Sequence, residues 1–127
     1  MPPRHRGTAI VRDWSKSGHR FLVVRGETPN KQLYILPGGR VEPGETGAQA
    51  AKRELYEELH LRALTCRYLF DYLDAPYVLH KVFFIRAKDT PIQRGHGIAA
   101  YDWHEPGKRK IHVSRPTKKI IEQYLKK

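Results

Sequence analysis

Gly38-Gly39-Arg40-Val41-Glu42-Pro43-Gly44-Glu45-Thr46, continued after one turn by Arg53-Glu54-Leu55-Tyr56-Glu57-Glu58-Leu59, is the stretch that decides how this chain is read. Its first half is a loop, because glycine reaches backbone angles closed to other residues and proline cannot donate to a strand ladder. Its second half is a helix by periodicity. Ala48, Ala51, Leu55 and Leu59 recur at spacings of three and four, giving one apolar stripe over Gly47–Leu59. The start is marked too: Thr46 is a good N-cap, and Gln49 three residues later completes a capping box. On this helix Glu54, Glu57 and Glu58 stand at i, i+3 and i+4, so Glu54 is a surface neighbour of both others.

Three carboxylates on one helix face repel each other, and two readings of them stay open. In the plainer one they form a solvated acidic face, with Arg53 pairing Glu57 at i+4. In the other they hold hard cations, which take oxygen ligands, keep several waters and complete their shell with substrate phosphates. Such cations bridge phosphate oxygens, offset developing charge and orient an attacking water. The preceding Pro37-Gly38-Gly39 favours the second reading, since it permits a sharp turn and close approach of backbone to a ligand.

Outward from this segment there is no repeat, linker or low-complexity tract. Residues 7–14 (GTAIVRDW) and 19–25 (HRFLVVR) read as strands joined by a turn at Ser15-Lys16-Ser17-Gly18. Pro29-Asn30 marks a loop, followed by a short strand at 32–36 (QLYIL) that Pro37-Gly38-Gly39 stops. Two more strands are expected at 64–73 and 77–86, a polar loop at 89–97, and another strand at 98–103. Ser114 caps a last helix running to about Leu125, with Pro116 in its first turn and Ile120, Ile121, Tyr124 and Leu125 on its apolar stripe. The order strands, helix, strands, helix argues for one mixed α/β domain over residues 1–127, with helices packed on the sheet.

The bulk properties narrow the function classes. A chain of 127 residues with 39% hydrophobic and 29% charged residues has an ordinary globular balance, so it can build a core without disulfides. Its densest apolar patch, Val82 to Ile85, is far short of a membrane span, and the first residues hold no apolar signal core. The single cysteine, Cys66, cannot close an internal disulfide and lies in a strand-like stretch, which reads as a buried, inert thiol. A cytoplasmic protein without membrane partners is expected. The net charge of +11 attracts polyphosphates, nucleic acid or acidic lipids alike, and a solvated basic surface with no specific partner is an equal alternative. The basic residues are spread over Arg4, Arg6, Arg12, Lys108-Arg109-Lys110, Lys118, Lys119, Lys126 and Lys127, and neither an RNP-like aromatic motif nor a zinc spacing accompanies them.

With these residues in view, the chain resembles the Nudix hydrolases, whose box is Gly-x5-Glu-x7-Arg-Glu-U-x-Glu-Glu-x-Gly-U, with U a bulky aliphatic. Gly39, Glu45, Arg53-Glu54, Glu57-Glu58, and Leu55 and Leu61 at the U positions all match. A chance match of this length is on the order of one in 10⁵ or rarer. The Leu36-Pro37-Gly38-Gly39 approach and Asp102-Trp103 also resemble the family. One position departs: the second glycine is His60, at the helix exit where a left-handed residue is usual. That departure touches no acidic residue and implies a change in stability, not a lost activity.

The resemblance implies a mixed sheet flanked by helices, an α/β/α sandwich. It implies Mg²⁺ or Mn²⁺ held by Glu57, Glu58 and the Gly38 carbonyl, with Glu54 a ligand or the base that activates water. Glu45 would pair with Arg53 and brace helix against loop, or reach a metal through water. A later loop supplies a further acid in several relatives. Here residues 89–97 offer Asp89 as their only acid and His96 as the other candidate base. The implied reaction is cleavage of a pyrophosphate bond in a nucleoside triphosphate, dinucleoside polyphosphate or ADP-ribose type of substrate, by a monomer or homodimer. Pro76 and Tyr77 carry conflicting family hints, to ADP-ribose and to dinucleoside polyphosphates. Tyr34, Tyr72, Tyr77 and Trp103 could stack on a base. The charge favours a strongly anionic substrate, an RNA 5′ end included. The rivals are a Nudix domain that binds without catalysis, which the intact acidic set argues against, and a basic nucleic-acid-binding module.

Overall fold

The computed structural model describes residues 2–13, 19–28, 32–108 and 110–126. The turn at Ser15–Gly18, the loop signal Pro29-Asn30, and Arg109 and Lys127 lie outside the described residues. Among the described residues six strands and two helices follow in the order β1 (Arg4–Ile10), β2 (Phe21–Gly26), β3 (Gly38–Arg40), α1 (Gly47–Leu59), β4 (Ala63–Asp74), β5 (Val78–Ala87), β6 (Ile98–His104) and α2 (Arg115–Leu125). Four strands form one sheet in the order β3-β1-β5-β4, and β2 pairs with β6. Strands β1 and β5 run parallel, from Arg4 beside Val78 to Ile10 beside Phe84, while β1–β3, β4–β5 and β2–β6 are antiparallel.

The strands are covered on both faces, as their alternation requires. Ala9, Val11, Leu22, Val24, Phe83 and Ile85 pack with Ala51, Leu55 and Leu59 of α1. The alternate residues Ile10, Phe21, Val23 and Val82 pack with Ile120 and Ile121 of α2. The result is the expected α/β/α sandwich. No helix among the described residues is long and apolar enough to cross a membrane.

Both helices begin as their sequences dictate. Thr46 Oγ1 accepts from Gln49 N at 3.1 Å, and the Gln49 side chain accepts from Thr46 N at 2.8 Å. Ser114 caps α2, and Thr117 Oγ1 accepts from Leu36 N at 3.1 Å, which ties the helix start to the chain ahead of β3. Helix α1 lies close on β1 because Gly7 faces it: a Cβ there would meet the Gly47 carbonyl and the Ala51 amide.

Several expectations change. The first strand is Arg4–Ile10 and not 7–14, because parallel pairing with β5 recruits the charged residues 4–6, and the chain beyond keeps only a bridge from Arg12 to Phe21. Residues 32–36 form no strand but isolated bridges, Tyr34 to Val113 and Ile35 to Val24. Gly38 and Gly39, expected to be loop, belong to β3, where they lie opposite Thr8 and Gly7. On the α2 stripe Ile120 and Ile121 are buried, whereas Leu125 is exposed. Pro76 lies in the connection between β4 and β5, and Cys66 is half-buried in β4 with its thiol pushed up by burial.

His60 has φ 57 and ψ 31, the left-handed conformation expected where the box has glycine. It offsets that strain with contacts. Its Nδ1 lies 2.9 Å from the Gln93 carbonyl, and its ring meets Tyr56 edge-on at 5.5 Å. A left-handed non-glycine residue costs roughly 1–2 kcal/mol, and a net hydrogen bond returns about 1 kcal/mol. His60→Gly is therefore expected within about 0.5 kcal/mol of wild type, while His60→Ala, which keeps the strain and loses the contacts, costs about 1–2 kcal/mol. Urea unfolding of the two variants distinguishes these values, and an alanine variant as stable as the glycine one would contradict them.

Candidate functional site

The loop after β3 folds back on α1 and is held there by one guanidinium. Arg53 Nε and Nη2 donate to the two carboxylate oxygens of Glu45 at 2.8 and 3.1 Å. Nη1 donates to Glu54 Oε1 at 2.8 Å and to Glu57 Oε1 at 3.1 Å, and Nη2 also reaches the Arg40 carbonyl at 3.1 Å. Glu45 closes its own turn by accepting from Glu42 N at 3.0 Å. The bonds from Arg53, with that backbone amide, hold the Glu45 carboxyl down at about 2, and Glu45 in turn raises the pKa of Arg53. The expected Glu45–Arg53 brace and the i+4 pair of Arg53 with Glu57 are thus both present.

Glu54 folds over Gly39, where a Cβ would collide with its carboxylate. Glu58 points the other way, under β3, and its Oε1 accepts from Gly38 N at 3.2 Å. Burial drives the Glu58 carboxyl up to about 7, Glu54 and Glu57 add to the rise, and Arg6 and the Gly38 amide act against it. The C-terminal end of α1 is covered by the 89–97 loop: Gln93 N donates to Leu59 O at 3.2 Å and Gly95 N to Glu58 O at 2.7 Å. His96, next to Gly95, is exposed, and Asp89 lies apart from it, in a hollow shared with Arg12 and Trp103.

This donor set suits a hard divalent cation. Arg53 takes one oxygen each of Glu54 and Glu57, and no hydrogen bond among the described residues uses the other. Burial disfavours the charged form of the Glu58 carboxyl, and a cation beside it would favour that form. No three acidic, histidine or cysteine side chains among the described residues converge on one point. An ion held from one helix face with waters completing its shell is the arrangement typical of Mg²⁺.

On the opposite face of β1 lies a feature the sequence did not show. A cavity of about 240 Å³ opens between β1, β5 and the start of α2. Its walls are apolar at Ile35, Leu36, Val78, Pro116 and Ile120, and polar at Arg6, Thr8, Asp74, His80 and Ser114. Thr8 Oγ1 and His80 Nδ1 are 2.8 Å apart in its floor. Arg6, read from sequence as one of many dispersed basic residues, is part-buried here, and burial lowers its pKa while Glu58 and Glu54 act to raise it. Strand alternation places Arg6 and Thr8 on one face of β1, but only the parallel pairing with β5 brings His80 beside them. None of the four aromatics expected to stack on a base lines this cavity: Tyr77 is 70% exposed, Trp103 borders other hollows, and Tyr34 and Tyr72 pack against the α2-side core.

The model of the NUDIX domain matches residues 3–124, and the chain belongs to the Nudix family. It shares 46% identity over 50 residues with a candidate 8-oxo-dGTP diphosphatase of Bacillus subtilis (strain 168), a segment that is 39% of this chain and 32% of that protein. The match therefore spans about a third of that relative's length. The fold is similar to a candidate Nudix hydrolase family member from Chromobacterium violaceum, with TM-score 0.82 and 27% identity over 98% of this chain and 77% of the other. A MutT Nudix hydrolase from Burkholderia pseudomallei superposes with TM-score 0.80 at 22% identity, over 97% of this chain and 98% of the other.

His80 makes the stability of this site sensitive to acid. Burial, with Arg6 nearby, lowers its pKa from 6.5 to about 4. Between those values the unfolded chain binds more protons, so the stabilisation is complete above about pH 6.5 and is lost as pH falls toward 4, on the order of 2 kcal/mol in all. Glu58 acts in the opposite sense, since its raised pKa favours the folded state as pH falls through 7. The difference between wild type and His80→Asn, which keeps an acceptor for Thr8, isolates the histidine. Denaturant unfolding should show that difference growing in favour of the variant from pH 6.5 to 4, and parallel curves would refute the assignment.

Proposed function

We propose that this chain hydrolyses a pyrophosphate bond within a nucleoside diphosphate derivative. The observation that carries the reading is the acidic face of α1 meeting the β3 loop around Arg53, with a ring-sized cavity on the other side of the same strand. Glu54, Glu57, Glu58 and the Gly38 carbonyl would hold Mg²⁺ or Mn²⁺, which when bound neutralises the phosphates and orients the attacking water. The protein's own part is positional. Arg53 and Glu45 fix the loop to the helix, so that the glycine backbone and the carboxylates face one phosphate chain. Glu54, over Gly39, is the residue assigned to take the proton of the water, with His96 the alternative on the neighbouring loop. The cavity takes the nucleoside, its apolar walls facing the rings and its polar floor the ring edges. The name of the Bacillus subtilis relative makes purine nucleoside triphosphates the first substrates to test. The charge of +11 keeps a more anionic substrate, a dinucleoside polyphosphate or an RNA 5′ end, as the second reading.

Turnover should require Mg²⁺ or Mn²⁺ and vanish in excess EDTA; undiminished hydrolysis there would remove the metal role. Glu57→Gln and Glu58→Gln keep side-chain shape and remove a ligand charge. A fall of about two or more orders of magnitude in turnover is expected for at least one, with a folded protein, by analogy with the loss of a key electrostatic group in other active sites. Wild-type rates in both would move the active site off this helix. Hydrolysis in ¹⁸O-labelled water should place the label on phosphorus within a pyrophosphate, and simple monoesters such as AMP should be poor substrates. The basic surface should steer the anion, so kcat/KM should fall as salt rises. A flat salt series would leave the chemistry intact and deny the charge a role in encounter.

A further inference from the structure

Arg6 stands where two compartments meet. It lines the cavity with Thr8, Asp74 and His80, and it also lines a smaller hollow of about 170 Å³ with Arg4 and Arg40. The sheet dictates this position. Arg6 lies directly opposite Arg40 on β3 and beside His80 on β5, so two guanidinium groups stand opposite each other next to an imidazole that burial keeps neutral. Like charges opposite each other in a sheet destabilise it. An anion seated beside the pair would offset that repulsion.

The partners of Arg6 do not exhaust its donors. Nη2 gives a hydrogen bond to the Leu36 carbonyl at 2.9 Å, but Nε is buried without a partner. Glu58 and Glu54 are near enough to favour its charge, yet no carboxylate among the described residues forms an ion pair with it. A part-buried guanidinium with an unused donor, next to a cavity and beside an acidic helix, is suited to an anion that arrives with a ligand. Its planar fork matches phosphate oxygens, which a point charge such as an ammonium does not do as well.

We propose that Arg6 binds the phosphate attached directly to the nucleoside, at the joint between the cavity and the acidic helix. The inference rests on the function proposed above. It adds that the chain selects a whole nucleotide unit, ring system and first phosphate together, and not a polyphosphate alone. Arg6 is then a specificity-determining contact. A purely structural Arg6, bracing Leu36, would affect all ligands alike.

The test separates the parts of the ligand. Binding of GMP and AMP, of guanosine and adenosine, and of inorganic pyrophosphate is measured by calorimetry with the full chain, with Mg²⁺ present only for pyrophosphate. For Arg6→Gln, monophosphate binding should weaken at least tenfold, while nucleoside and pyrophosphate binding stay within about twofold. In turnover the loss should fall mainly on KM. Arg6→Lys should recover part of the monophosphate affinity and leave at least a threefold deficit, because it restores charge without the fork. If Arg6→Gln fails to fold, that deficit in Arg6→Lys, with nucleoside binding unchanged, decides the matter. Parallel losses for nucleoside and monophosphate, or monophosphate affinity unchanged in either folded variant, would overturn the inference. A wild-type chain that turns over nucleoside triphosphates while the variants keep monophosphate affinity sinks only this inference; a wild-type chain with no turnover of any pyrophosphate compound sinks the function beneath it.

Discussion

The bonds of one guanidinium organise this site. Arg53 reaches Glu45 in the loop, Glu54 and Glu57 on its own helix, and the Arg40 carbonyl at the end of β3. A planar side chain with donors on several edges can serve so many acceptors at once, and lysine could not replace it. Without it, Glu45, Glu54 and Glu57 would repel one another across a loop rich in glycine, which has little conformational preference of its own. Structural and chemical readings of the acidic face thus turn out to be compatible. The same ion pairs that would make it a solvated surface also hold two carboxylates half engaged, with Glu54 against the β3 backbone at Gly39.

Strand β1 divides the site between its two faces. Gly7 brings α1 and its carboxylates close on one side, while Arg6 and Thr8 face the cavity on the other. Neighbouring residues of a strand point in opposite directions, so a single short segment carries both halves at fixed separation. The distance between acidic helix and cavity is then set by a backbone and not by flexible side chains. Arg6 is the residue through which the two halves sense each other electrostatically, since its charge bears on Glu58 and on His80 at once.

What could be read from the sequence follows the range of the interactions. Helix α1 was legible to the residue because its signals are local: the Thr46–Gln49 box, the leucine spacing and the left-handed exit at His60 all lie within a few turns. The Glu45–Arg53 pairing came from the resemblance to the Nudix box, and the structure places those side chains in contact. Strand β3 was not legible, since glycines lack strand propensity and Gly38 and Gly39 join a sheet only because Gly7 and Thr8 lie opposite them. The start of β1 was missed because charged residues 4–6 carry no apolar alternation. The cavity and the position of Arg6 in it were out of reach because they depend on a parallel pairing that no local pattern announces.

That pairing also orders events in time. The Thr8–His80 contact joins residues separated by 72 positions, whereas the acidic half of the site is drawn from one helix and the loop just before it. Closing a long loop costs entropy that is recovered only once the ends have docked, and proteins rich in such contacts fold slowly. A nascent chain therefore carries a nearly complete cluster of carboxylates before it has anywhere to seat a nucleoside. During synthesis the negative charge of α1 is exposed first, and the cavity closes only after β5 has found β1 and α2 has emerged to cover it.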